Sequence, residues 1–187
     1  SKKKKFFKIN VLAANKNYNL ICKQIIKFKP NLFIVNDKKI YEKVKKKFIK
    51  SKVKISQKVD IKQSYLKKSD ITIAAIPGIA GLKPTVEFIK KSKKILIANK
   101  ESIICGWNLI KKELKKNKTN FIPVDSEHFS IWSLIKNEPT SEVEKIIITA
   151  SGGPFLNYKL NQLKYVKPKD AIKHPNWTMG KKYQLIQ

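Results

Sequence analysis

Between Phe6 and Val124 short apolar runs alternate with segments whose apolar residues recur every three or four positions, and this alternation leaves few architectures open. Leu32 to Val35, Ile71 to Ile76, Ile95 to Ala98 and Phe121 to Val124 are too short for helices and nearly free of polar residues. Such runs are expected of strands in a parallel sheet, and Ile71 to Ile76 reads as buried on both faces. Leu20, Ile21, Gln24, Ile25 and Phe28 mark a helix that stops before Pro30. Asp37 can cap the next helix, whose Ile40, Tyr41, Val44 and Phe48 form one stripe. Pro84 suits a first helical turn, and Glu101 to Lys116 reads as a further helix. Residues 51–69 are read as a short strand and a short helix. Right-handed crossovers between parallel strands then give an α/β fold with a Rossmann-like dinucleotide-binding domain. Val143 to Thr149 is strand-like again, before a loopier remainder richer in proline. A boundary near residue 121 divides the chain into domains 1–120 and 121–187, the second being the start of an α+β domain.

With 187 residues, of which 42% are hydrophobic, the chain can bury a real core, and no apolar stretch approaches the roughly 20 residues that a helical membrane span needs. The formal charge of +29 raises nucleic acid as a partner. All 42 basic residues are lysine, however, whereas bidentate recognition of phosphate and guanine favours the planar fork of arginine. Lysine occupies nearly every polar helical position, and isoleucine, asparagine and phenylalanine are abundant too, as an AT-rich genome would give. No specific nucleic-acid surface and no membrane partner are therefore expected. The alternative, a lysine-rich module binding nucleic acid or acidic surfaces, needs its lysines gathered on one face among aromatics. Cys22 and Cys105 match no metal spacing and read as reduced, structural residues.

Four blocks carry candidate chemistry. Phe121-Ile-Pro-Val-Asp-Ser-Glu-His128 delivers two carboxylates, Asp125 and Glu127, at the end of a strand. In extended backbone their side chains point the same way, as a divalent cation preferring oxygen requires. The plainer reading is that Asp125 or Ser126 caps the helix suggested by His128 to Leu134. Ala98-Asn-Lys-Glu-Ser102 follows a strand end, where open α/β sheets place ligands, although Glu101 and Ser102 also suit a helix start. Ser151-Gly-Gly-Pro-Phe155 and His174-Pro-Asn-Trp-Thr-Met-Gly180 lie downstream.

In this order and spacing the four blocks closely resemble the 1-deoxy-D-xylulose 5-phosphate reductoisomerase family, over nearly the whole chain, from about Val11 to Lys182. The resemblance implies conversion of that sugar phosphate to 2-C-methyl-D-erythritol 4-phosphate in non-mevalonate isoprenoid synthesis, with NADPH and Mg²⁺ or Mn²⁺. By resemblance, Asp125 and Glu127 are metal ligands, and Lys100 and Glu127 carry the catalysis. Lys100, Ser126, Glu127, Ser151, His174 and Trp177 meet the substrate, with Met179 an apolar neighbour. Asn15, Lys16, Asn17, Asn99, Glu101 and Gly180 meet the cofactor, and Lys16 faces its 2′-phosphate. Asn15 stands where the family has glycine. His128 receives no ligand role.

The family's Gly-x-Thr-Gly-x-x-Gly turn has no counterpart ahead of Ile9 to Ala14, and its third metal carboxylate belongs beyond Gly180. The chain is therefore expected to be a fragment of a parent enzyme, lacking the first strand, turn and helix and the C-terminal half. The parent is expected to be a homodimer of the bacterial cytoplasm or plastid stroma. The 187-residue chain by itself is expected not to turn over, since several groups that act together would be missing. Mixing it with NADPH, Mn²⁺ and substrate and following NADPH oxidation checks this; turnover matching that of a complete family enzyme would show the essential residues misplaced.

Overall fold

The computed structural model describes residues 6–57, 67–148 and 153–171. The chain divides into two units, Ser1–Trp132 and Ser133–Gln187. In the first, β1 (Val11–Ala14), α1 (Tyr18–Phe28), β2 (Leu32–Val35), α2 (Lys38–Lys47) and β3 (Lys54–Ser56) come in order. They are followed by β4 (Ser69–Ala74), α3 (Leu82–Ile89), β5 (Ser92–Ile97), α4 (Lys100–Asn117), β6 (Asn120–Pro123) and α5 (Ser126–Ile135). The strands form two parallel three-stranded sheets, β1-β2-β3 and β4-β5-β6, so the chain is α/β as expected.

Side chains at the strand ends start the helices. The amides of a first helical turn have no partner within the helix, so an Asx oxygen just ahead of it is stabilising. Asn17 Oδ1 accepts the Leu20 amide and Asp37 Oδ1 that of Ile40, both at 3.0 Å. α1 ends at Lys29, whose left-handed backbone (φ 45°) turns its amide to the Ile25 carbonyl just before Pro30. The apolar stripe read from the sequence becomes a core in which Ile21 and Ile25 of α1 and Val44 of α2 pack with Phe33 and Val35 of β2.

Around the second sheet, Val86 and Ile89 of α3 and Ile110 of α4 pack on Ile95 and Ile97 of β5. α4 is bent at Gly106 (φ −131°, ψ 19°). A Cβ there would lie 2.4 Å from Leu82 Cδ1, so any larger residue would require the Leu82 side chain at the start of α3 to move. Asn10 joins the starting ends of the two sheets, its Nδ2 donating to Ser69 Oγ at 3.3 Å, and Phe88 of α3 packs against the pair Leu32 and Ile34 of the first sheet.

Two readings are corrected. All four residues of β2 are buried, but the Ile71 to Ile76 segment is not buried on both faces. Thr72 and Ala74 lie beside Ile95 and Ile97 on the packed face, while Ile71 and Ile73, on the other, are 51% and 67% exposed. The expected strand from Val143 to Thr149 is also absent as far as Ile148, where the described residues pause. Ile146, Ile147 and Ile148 are exposed there, and a lone extended segment with no neighbouring strand has nothing to fill its main-chain hydrogen bonds.

The described part of the second unit has short elements only: 3-10 turns at Thr140–Glu142, Gly153–Phe155 and Gln162–Tyr165, and α6 (Pro168–Ala171). The rings of Phe155 and Tyr158 meet edge to face at 5.3 Å. Among the described residues no helix is long and apolar enough to cross a membrane.

The two faces of the second sheet should differ in what they contribute to stability. Ile97→Ala is expected to cost about 2–5 kcal/mol, as for a buried isoleucine. Ile73→Ala should stay within roughly 1 kcal/mol. Urea denaturation of the purified chain measures both; equal losses would show that β4 is covered in solution.

Candidate active site

Because β5 and β6 are parallel neighbours, with Ile97 beside Pro123, both chains leave the sheet at the same edge. The Val124 amide donates to the Ile97 carbonyl at 3.0 Å and keeps the two exits together. Each exit then meets a capping residue and a helix start: Asn99 ahead of α4, Asp125 ahead of α5. Lys100, Glu101, Ser126 and Glu127 occupy the first turns of these helices.

Asp125 plays the capping part that the plainer reading gave it. Its Oδ1 accepts the His128 amide at 3.1 Å and also meets His128 Nδ1 at 2.5 Å. Its other oxygen, Oδ2, is buried and has no hydrogen-bond partner among the described residues. A buried carboxylate oxygen left bare is costly unless something polar or cationic completes it. Capping and ligation are thus compatible, one oxygen serving each. Glu127 is exposed, and its carboxyl is held below the ordinary glutamate range, first by its own main-chain amide, then by the Ser126 hydroxyl. Ser126 Oγ donates to Glu127 Oε2 at 2.9 Å, and the Lys100 ammonium favours the anion as well. A buried oxygen on Asp125 that is free among the described residues and an ionised Glu127 two residues further on are the hard donors that Mg²⁺ or Mn²⁺ takes. Among the described residues, no cluster of three or more such side chains forms.

Asn99 is 3% exposed and its amide is spent internally. Its oxygen accepts the Ser102 amide at 2.8 Å, and its Nδ2 donates to the carbonyls of Ile76 and of Gly78, the latter at 2.8 Å. Glu101 is half-buried in the first turn of α4. At the end of β1, Asn15, Lys16 and Asn17 are all exposed. Asn15 Oδ1 accepts from Asn36 Nδ2 at 3.3 Å, joining the ends of β1 and β2, and Asn17 caps α1. Lys16 stands on the turn between them.

The structure therefore brings Lys100 near Glu127, which follows Asp125 and Ser126 at the start of α5, and buries Asn99 just ahead of Lys100. Ser151, His174, Trp177, Met179 and Gly180 lie outside the described residues. Two features went unread in the sequence. His128 was left without a role, yet its spacing of three from Asp125 at a helix start is a readable signal for contact. The second is the turn from Ile76 to Gly81: the Asn99 hydrogen bonds that fix it cross more than twenty residues, beyond the reach of local pattern.

The sequence matches the family model described as 1-deoxy-D-xylulose 5-phosphate reductoisomerase over residues 1–106, and that of the reductoisomerase C-terminal domain over 121–185. It is 52% identical over 184 residues to the 1-deoxy-D-xylulose 5-phosphate reductoisomerase of Pelagibacter ubique, a match covering 97% of this chain and 47% of that protein. The enzyme from Zymomonas mobilis, solved in complex with NADPH, superposes with a TM-score of 0.80 at 31% identity, covering 93% of this chain and 46% of that one. A DOX-P reductoisomerase in complex with NADPH, fosmidomycin and magnesium gives 0.76 at 27% identity, covering 98% and 48%. The chain spans about half the length of the relatives it matches. With a family model covering more than half of its residues and the same fold in solved members, the chain belongs to the 1-deoxy-D-xylulose 5-phosphate reductoisomerase family.

Proposed function

We propose that the gene product carrying this chain converts 1-deoxy-D-xylulose 5-phosphate to 2-C-methyl-D-erythritol 4-phosphate, using NADPH and a divalent cation. The observation that carries this reading is the bare, buried Oδ2 of Asp125 beside an ionised Glu127. It is supported by the relatives solved with NADPH and with magnesium. When bound, the cation supplies Lewis-acid polarisation of the substrate's carbonyl and hydroxyl oxygens, and NADPH supplies the hydride.

The chain's own residues do the rest of the work in this half of the site. The α5 amide and His128 hold Asp125 by one oxygen, so the other keeps a fixed direction. Glu127, whose carboxyl its own amide, Ser126 and Lys100 hold below the ordinary glutamate range, is an anionic acceptor at neutral pH. Lys100, at the start of α4, places a cation where negative charge develops on substrate oxygens. Glu101 and the Asn15-Lys16-Asn17 turn flank the cofactor side, at the carboxyl ends of β5 and β1. Ser151, His174, Trp177 and Gly180 keep their substrate and cofactor roles from the resemblance alone. The C-terminal-domain match beginning at residue 121 supports a functional boundary there, and the bacterial relatives support a cytoplasmic setting.

Asp125→Asn separates the two duties of that residue, because asparagine also caps helices well while its amide nitrogen cannot ligate a cation. Activity of the complete gene product should then need at least about 100-fold more Mn²⁺, above the range seen when outer-shell partners are lost, with the helix retained by circular dichroism. An unchanged Mn²⁺ dependence would refute the ligand role.

Lys16→Ala should raise the KM for NADPH by roughly tenfold or more and leave that for NADH nearly unchanged, since only NADPH offers a 2′-phosphate for a charge-assisted contact. Steady-state kinetics with both cofactors measures this, and equal losses would remove Lys16 from the cofactor site.

A further inference from the structure

The basic excess of the chain is unevenly spread. Residues 6–57, around the first sheet, hold fourteen lysines against two carboxylates, Asp37 and Glu42, whereas residues 67–148 hold fifteen lysines against nine carboxylates. All fourteen lysines of the first part are exposed. A compositional preference for lysine raises both parts alike and leaves unexplained why acidic residues are so scarce in one of them. In the second part lysines find partners, Lys90 on Glu87 at 3.4 Å and Lys93 on Asp70 at 2.9 Å. In the first part Asp37 is engaged in capping α2.

Two helices gather these charges on one surface. Ile21 and Ile25 of α1 and Val44 of α2 pack into the same core on the same face of the first sheet, and Lys47 of α2 reaches over the Tyr18 ring of α1. With about 3.6 residues per turn, Lys23 and Lys27 fall on the side of α1 opposite Ile21 and Ile25. Lys39, Lys43 and Lys46 fall, four and three residues apart, on the side of α2 away from Val44 and Phe48.

Three features narrow the partner. The apolar stripes of both helices are spent on the core, so neither can be laid into a lipid boundary. The rings on which single-stranded bases would stack are already covered, Tyr41 by Lys45, and Tyr18 and Phe48 by Lys47. Arginine, the commonest reader of guanine edges, is absent from the chain. Phosphate contact remains, and the gain from releasing counterions is largest on a duplex, where charge is densest.

We propose that the outer surface of α1 and α2 binds the phosphate backbone of double-stranded nucleic acid without regard to sequence. It uses none of the residues assigned to catalysis and stands or falls apart from that reading.

The test is fluorescence anisotropy of a labelled DNA duplex of about 20 base pairs with the complete gene product, over salt from about 0.05 to 0.2 M. A Kd of about 1–100 μM at 0.1 M salt is expected, with affinity falling as roughly the fourth power of salt or more steeply, as five phosphate contacts would give. Replacing Lys39, Lys43 and Lys46 together by glutamine should weaken binding at least tenfold and lower that power by about 2–3, with the thermal midpoint held within a few degrees. The matched triple Lys111→Gln, Lys112→Gln and Lys116→Gln on α4 removes the same charge elsewhere and should stay within about threefold. Equal losses from the two triples would show net charge acting without a surface and overturn the proposal. So would a single strand bound as tightly as the duplex, two duplexes of different sequence bound more than about tenfold apart, or vesicles containing phosphatidylserine bound in preference to the duplex.

Discussion

Parallel pairing of β5 with β6 governs where Lys100, Asp125 and Glu127 can be. It obliges two successive chains to leave the sheet at one edge, held there by the bond from the Val124 amide to the Ile97 carbonyl. Two helix starts then stand side by side, each with unmatched amides and partial positive charge. Glu101 and Glu127, the acidic residues of those first turns, suit that field. An antiparallel neighbour would have sent one helix start to the opposite end of the sheet, and Lys100 could not then bear on Glu127.

Local rules sufficed where the deciding interaction spans a few residues. Leu32 to Val35, Asp37 as a cap, and the α5 start at Asp125 and Ser126 were legible because side-chain alternation and capping act within three or four positions. Ile71 to Ile76 misled because an apolar run states what a strand tolerates on each face, whereas its burial depends on what lies over those faces. Val143 to Thr149 misled in the same manner: β-branched residues favour extension, but a strand exists only beside another strand. The family blocks fixed the identity of Asp125, Glu127 and Lys100 as candidates. They could not convey that Asp125 caps α5 with one oxygen and keeps the other buried without a hydrogen-bond partner among the described residues, or that Asn99 is sealed inside. Those facts depend on contacts with His128, Ile76 and Gly78 and on burial.

Charge illustrates the same division between composition and placement. Among 42 lysines, Lys100 bears on Glu127 because of where α4 begins. Others serve as cover: Lys45 lies over the Tyr41 ring at 5.6 Å and Lys47 over that of Tyr18 at 5.5 Å, their stems along aromatic surface and their heads towards water. A strongly basic chain can thus carry most of its lysines for reasons unrelated to its candidate site.

The half-open second sheet has a colloidal consequence. Along β4 one row of main-chain donors and acceptors faces β5, the opposite row lacks a strand partner among the described residues, and Ile71 and Ile73 stand exposed beside it. Such a border is a template for any extended segment, including one from another copy. What opposes that in a solution of this polypeptide is mutual repulsion between molecules of charge +29, a long-range force that dissolved salt shortens to about 10 Å at 0.1 M. The hydrogen bonding and apolar contact that would join two borders are short-ranged and hardly screened. Ionic strength therefore sets whether molecules of this chain remain apart, and a salt dependence that resembles loss of an electrostatic partner can instead report strands finding one another.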